Sequence, residues 1–403
     1  MRYSAILALS ASLLASPALA EVEWDISGFG TLGAVISDSY AHYQREIDDG
    51  GTLLRDSLVG GQVDVKFNDK WSATAQVMLA AATDEDDQLA PQLKWTLVSY
   101  RPSNDWLIRA GRMSLGGLLN QQNMDVGVSY DMLRLPNEVY AVSQLYDFDG
   151  LSVAKTWNTT DYEITLDVSG GFQTRDYRSY RAGSDEPFFY EADIWGSGLV
   201  LTVTDYDQKT LRLGWHYNRV KPDAPGFLDK LNFVPLGDGR YTFSPATYED
   251  TANFNTLFLG LRFPLQEFMV TMELTYVDSG GSDIAPPNLS GYLNVARKFG
   301  NWTPYVTYAQ MYSFDDDPLN KVRGATPMPI PGLTQSDIDN LYTSIAYYDQ
   351  QSVMLGTSYA FTPKQKLKGE IMFTHVGDRS AMFDELIENE IVSVYSLAYC
   401  FMF

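Results

Sequence analysis

Residues 391–403 read IVSVYSLAYCFMF, which sets Ile391, Tyr395, Leu397, Tyr399, Phe401 and Phe403 on one parity. Side chains two apart along a strand share a face, so this stretch is a strand with one apolar, largely aromatic side. Soluble domains usually finish in a frayed polar tail. An aromatic face on a terminal strand needs an apolar solvent or a partner, and the solvent that suits it is lipid.

The same alternation recurs throughout the chain. In 71–79, Trp71, Ala73, Ala75, Val77 and Leu79 oppose Ser72, Thr74 and Gln76; in 210–217, Leu211, Leu213, Trp215 and Tyr217 oppose Thr210, Arg212, Gly214 and His216. Segments 162–169, 267–276, 352–361 and 367–374 repeat the scheme, with one face apolar and the other mixed. The connections alternate too. Seven are tight, around Asn68–Lys70, Pro102–Asp105, Asn158–Asp161, Asp205–Gln208, Pro264–Glu267, Gly300–Asn301 and Thr362–Gln365. Eight are long, at 37–54, 80–91, 114–149, 174–193, 221–252, 279–288, 314–349 and 378–389. Together they imply sixteen strands, and strands of about ten residues are long enough to cross a bilayer when tilted. A secreted β-sandwich also alternates, but it does not put its long loops consistently at one end.

The terminal strand resembles that of bacterial outer-membrane β-barrels, in which a final Phe and alternate apolar residues form an insertion signal. That resemblance and the loop pattern predict an all-β, transmembrane antiparallel barrel of sixteen strands, with short periplasmic turns and long extracellular loops. Closure removes the sheet edges that lipid would not tolerate. Trp71, Trp106, Trp302 and Phe361 fall beside the short turns, where amphipathic rings favour the membrane boundary.

Residues 1–20 read as a secretory signal, with Arg2 at its positive start, an apolar stretch over Ala5–Leu14 and a small-residue cleavage site at Ala18-Leu19-Ala20. The expected mature unit is a single barrel over 21–403, placed in the outer membrane of a Gram-negative cell. The chain carries 51 Asp and Glu against 29 Lys and Arg, which excludes a nucleic-acid partner on electrostatic grounds. Its one cysteine, Cys400, permits no intrachain disulfide.

Other motifs are weaker. Gly28-Phe-Gly-Thr-Leu-Gly33 matches the dinucleotide fingerprint, but Ala34–Ser37 continues a strand where that fold needs a helix. Asp147-Phe-Asp-Gly150 and Asp315–Asp317 lack the later bidentate Glu of a calcium loop, so neither metal nor cofactor is implied. The acids of Asp84–Asp87, Asp315–Asp317, Glu385 and Glu388 could meet lipopolysaccharide phosphates through divalent ions. Arg175, Arg178 and Arg181, interleaved with Tyr177 and Tyr180, read as a loop salt-bridge cluster with Asp176, Asp185 and Glu186. Three histidines, His42, His216 and His375, show no catalytic or metal-ligand spacing, so the chain is not expected to be an enzyme.

The segment after the fifth strand is the most informative interior stretch. Its Ala110-Gly-Arg-Met113, Asp125-Val-Gly127 and Leu135-Pro-Asn-Glu-Val-Tyr140 stretches resemble those of proteobacterial porin-like channels of sixteen strands. In general porins the corresponding connection folds back into the barrel and narrows it, with carboxylates facing basic wall residues. The resemblance therefore implies that 114–149 folds inward and brings Asp125, Asp131, Glu138 and Asp147, with Arg134 and Arg112, to a constriction. By parity Lys66, Lys94, Arg109, Arg212, Arg262 and Lys368 share the mixed face with Asp64, Glu163, Asp167, Glu273 and Glu370. The expected function is passive diffusion of small hydrophilic solutes and ions, with outer-membrane lipid and lipopolysaccharide as surroundings and a homotrimer carried over from the resemblance. Acidic vestibule loops favour a mild cation preference. Alternatives are a channel specific for sugars, with Tyr130, Tyr140 and Tyr146 as a binding track, an outer-membrane enzyme using His216 or His375, and a surface protein with a plugged lumen.

Overall fold

The computed structural model describes residues 22–141, 147–179, 187–223, 232–244, 251–314, 316–325 and 334–403. The expected signal segment, Tyr146, Tyr180, Arg181, Asp185, Glu186 and Asp315 lie outside them.

Sixteen antiparallel strands close on themselves into one barrel. The first half is β1 (Glu23–Ser37), β2 (Leu58–Lys66), β3 (Trp71–Ala81), β4 (Leu89–Ser103), β5 (Trp106–Ser114), β6 (Asp147–Asn158), β7 (Tyr162–Ser179), β8 (Phe188–Asp205) and β9 (Thr210–Pro222). A separate hairpin of β10 (Asn232–Gly237) and β11 (Arg240–Ser244) sits in the next loop. The wall resumes with β12 (Ala252–Leu265), β13 (Phe268–Asp278), β14 (Asn288–Arg297), β15 (Trp302–Ser313), β16 (Tyr348–Thr362), β17 (Gln365–Ser380) and β18 (Glu390–Met402). Each wall strand pairs with its neighbour in the chain, β12 pairs with β9, and β18 pairs with β1 from Phe29↔Met402 to Ser37↔Val394. This is the sixteen-strand barrel that alternation predicts, with the seven tight turns at one end.

Period-two patterning decides which way each side chain faces. Along β15 the even-exposed, odd-buried rhythm runs unbroken from Trp302 to Ser313, so Val306, Tyr308 and Tyr312 point out while Tyr305, Thr307 and Ala309 point in. Rings gird the outer face at the short-turn end: Trp302 meets Tyr359, Tyr359 meets Phe361, and the chain of contacts continues through Tyr399 to Phe401. Trp71 stacks on Tyr100 at 4.5 Å between β3 and β4, beyond the closing seam. Phe401 lies over Gly30 across the closing seam, where an added Cβ would stand 2.6 Å from the ring. A glycine is needed there for the two strands to meet beneath that aromatic cover.

The structure departs from the sequence reading in the long loops. Strands β7 and β8 stay paired as far as Ser179↔Phe188, beyond the expected loop start at 174, because Tyr177 and Tyr190 stack across the pair at 5.6 Å. The loop between β15 and β16 carries helices Asp317–Arg323 and Gln335–Ser344. Leu319, Val322, Ile338, Ile345 and Tyr347 bury a small core there, and Ala325 bridges to Tyr241 of β11. Some loop acids are paired with loop bases. Arg178 donates to both Asp86 and Asp384, Arg45 to Asp86, and Arg323 to Glu388. Arg178 thus finds partners on other loops, while Asp185 and Glu186 of its own lie outside the described residues. His42 donates through its backbone N–H to Glu385 Oε2 at 2.6 Å, and its ring Nδ1 is 2.7 Å from Oε1. Burial alone would lower the His42 imidazole, but the Glu385 hydrogen bond and the charges of Glu385, Asp48 and Asp384 hold it above its usual value.

Candidate functional site

The segment following β5 lies against the inward faces of β12–β18. Its first turn is set by Gln121, whose side-chain oxygen accepts from the Gly117 and Leu118 N–H groups at 2.9 and 3.1 Å. The Leu119 N–H then donates to Glu273 Oε1 at 2.6 Å. Tyr140 and Tyr292 both donate to Glu273 Oε2, at 2.6 and 2.7 Å. One buried carboxylate on β13 thereby joins both ends of the segment to the wall.

Further anchors follow around the barrel. Tyr305 accepts from the Leu133 N–H at 2.8 Å and donates to Glu370 at 2.7 Å, while Lys368 reaches the Met132 carbonyl at 2.7 Å. Asp131 receives Lys366 at 2.8 Å and Ser358 at 2.7 Å. Gln350 and Ser352 both donate to Glu138 Oε1. Arg134 makes a bidentate pair with Asp56 at 2.6 and 2.7 Å and also donates to Ser396. Burial alone would raise the Asp56 carboxyl, but the Arg134 guanidinium more than offsets that and holds it below the ordinary range. Around these polar ties Leu118, Met132, Leu135, Val139 and Tyr140 pack with Tyr292, Tyr305, Ala309, Met354 and Met372.

The space left over includes three cavities. One cavity of about 250 Å³ lies between Gly116 and Gln122 of the segment and the inward face of β4–β9, with Arg101, Arg109, Asp167, Thr202 and Arg212 on its wall. A second, of about 390 Å³, adjoins Arg55, Asp56, Asp125, Arg134 and Arg175. A third, of about 380 Å³, opens beside the β12–β13 turn and includes Asp131 and Arg262.

The residues singled out from sequence are therefore scattered. Arg109 and Arg212 share the first cavity, and Lys94 pairs with Asp125 at 3.3 Å and Asp147 at 2.8 Å. Glu138 and Lys368 are fully buried in the anchoring contacts and line none of these three cavities. Lys66 stands exposed at the short-turn end, 3.6 Å from Glu23. Arg112 is a correction: alternation continues through Gly111, so Arg112 points to the outer face, where it forms a bidentate pair with Asp149 at 3.0 and 2.6 Å. The Tyr130 and Tyr140 hydroxyls are committed to Met124 O and Glu273. His216 faces inward, buried edge-on against Phe258, whereas His375 shares the outward parity of Ile371 and Phe373. Sequence reading missed Arg101. A bulge between Leu93 and Trp95 shifts the parity of β4 by one residue, and this turns Arg101 inward with Leu97 and Ser99.

Solved structures with the same architecture cover nearly the whole chain. An anion-selective porin from Comamonas acidovorans matches with 12% identity over 95% of this chain and 100% of its own, at a TM-score of 0.55. The fold is that of an outer-membrane β-barrel. OprB of Pseudomonas putida matches at 8% identity over 94% of each chain, TM-score 0.54, and OmpT of Vibrio cholerae in a trimer form at 11% over 95% and 99%, TM-score 0.52. No protein-family model and no curated protein matches the chain.

Proposed function

We propose that this barrel sits in the outer membrane of a Gram-negative bacterium and conducts small hydrophilic solutes and ions passively. The observation that carries the reading is the placement of the inward segment. Most of its buried hydrogen bonds run to the β12–β18 half of the wall, among the described residues only Arg212 and Lys94 reach it from β9 and β4, and two of the polar cavities lie against β4–β9 and β1–β2. A segment spread evenly over the lumen would act as a plug, whereas one fixed to one side narrows the bore and leaves a water-accessible, charged strip beside it. The reading involves no catalytic step and no cofactor. Lipid surrounds the apolar outer face, and lipopolysaccharide meets the loops.

A homotrimer fits the outer surface. Gly61, Ala73, Ala75 and Ala110 form a shallow patch on the outward face of β2–β5, bordered by Trp71, Val77 and Leu79. Beside them the Arg112–Asp149 pair is an expensive group to set against hydrocarbon, and both features suit contact with another copy. The trimer form of OmpT, with the same architecture, supports the same assembly. Planar-bilayer recording of the purified protein tests the channel. Stepwise ohmic currents are expected, and a protein that inserts but carries no current would overturn the reading.

A further inference from the structure

Charge in the lumen is unevenly divided once each ion pair is assigned. The acids of the inward segment are spent elsewhere: Asp131 on Lys366, Asp125 and Asp147 on Lys94, and Glu138 on Gln350 and Ser352. None of them reaches the 250 Å³ cavity, whose charged residues are Arg101, Arg109, Arg212, Asp105 and Asp167. Asp105 is already paired with Lys155. Asp167 accepts from Ser152 Oγ through both oxygens at 3.0 Å and stands 3.9 Å from Arg109 Nη2.

The arginines keep capacity in hand. Arg212 uses Nε on Thr202 and Nη1 on the Leu118 carbonyl, at 3.1 and 2.7 Å, and no partner for its Nη2 is present among the described residues. Arg109 Nε is buried without a hydrogen-bond partner. Arg101 has no ion pair among the described residues and is exposed to the cavity.

We propose that this cavity is an oxyanion subsite, in which Arg101, Arg109 and Arg212 bind the carboxylate or phosphate groups of small solutes in passage. The proposal rests on the channel reading and adds the substrate class. A guanidinium stays charged at any working pH and presents a planar fork that matches a carboxylate or phosphate with two parallel hydrogen bonds. Three such forks in a narrow polar space raise the local concentration of anions and exclude cations. Loop acids do not cancel this field, because salt screens charges beyond about 8 Å and several of those acids are paired with loop arginines. The gap should therefore favour anions, against the cation preference that overall charge suggests.

The test uses the full-length protein in planar bilayers across a potassium chloride gradient, with succinate and inorganic phosphate as the carboxylate and phosphate probes. Wild type should show an anion-selective reversal potential, and either probe should reduce chloride current in a saturable way. The double variant Arg101→Gln/Arg109→Gln should weaken that block roughly tenfold or more, the loss expected for charge-assisted hydrogen bonds. Lys70→Gln, in an exposed turn outside the cavity, should leave the block unchanged. A cation-selective wild type, or a block unaltered in the double variant, overturns the subsite and leaves the channel reading standing. If no current appears, the channel reading fails. Calorimetric titration of succinate into the detergent-solubilised barrel then decides the subsite: binding lost in the double variant upholds it, and no binding to wild type overturns it.

Discussion

Arg112 and Asp149 show how far one side chain depends on its cross-strand partner. They are register partners on β5 and β6, each about one-third exposed on the outer face, with Leu151 and Phe172 as apolar neighbours. A lone Arg on the apolar face of a barrel costs about 2–4 kcal/mol near the membrane middle. Asp149→Ala should therefore lower the stability of the folded barrel by up to that amount, because it removes the carboxylate that neutralises the guanidinium through two hydrogen bonds. The double variant Arg112→Leu/Asp149→Leu should recover most of the loss, since a well-packed apolar pair often equals an ion pair removed from water. Urea unfolding followed by tryptophan fluorescence in lipid vesicles measures both, and a double variant as weak as the single one would show that the pair has a role beyond charge neutralisation.

At the scale of elements, the inward segment is held by few side chains, each of which matters. Arg134 is central, because it ties the segment to Asp56 and Ser396 together. Arg134→Ala leaves a buried carboxylate alone, and breaking a buried pair from one side costs about 3–5 kcal/mol. The segment should then become open to added protease while the barrel strands stay resistant, and Asp56→Ala on top of it should restore protection. Acid should act in the same direction. The Asp56 pKa is depressed on folding, so its contribution is complete above the usual carboxylate range and disappears as pH falls through the folded value. Proteolytic fragments mapped by mass spectrometry check each outcome. The strands and tight turns were legible because period two is strictly local, as β15 shows over its full length. The anchors were not, since Glu273 and Tyr140 lie 133 residues apart and parity says only that Glu273 faces inward. The bulge at Lys94 hid Arg101 for a related reason: one inserted residue inverts every face after it, and no residue type announces it.

The outer wall of the cylinder carries a shallow patch among bulkier side chains. Over β12–β17 the outward residues are bulky, among them Leu257, Phe268, Tyr308, Leu355 and Phe373. Over β2–β5 they include Gly61, Ala73, Ala75 and Ala110, with Arg112 beside them. Lipid tails conform to either surface, so solvation by lipid alone gives no reason for the difference. A second rigid barrel does, because small side chains let two walls approach closely and extend dispersion contact along the strands. Ala75→Trp combined with Ala110→Trp should therefore separate the copies without unfolding any of them. The expected result is a shift from trimer to monomer in sedimentation of the detergent-solubilised protein, with β-sheet circular dichroism unchanged. Bulky substitutions at Leu257 and Leu355 should leave the assembly intact. If both pairs of substitutions leave the sedimentation of wild type unaltered, the shallow face is not where copies meet, and the Arg112–Asp149 pair must be accommodated by lipid and water alone.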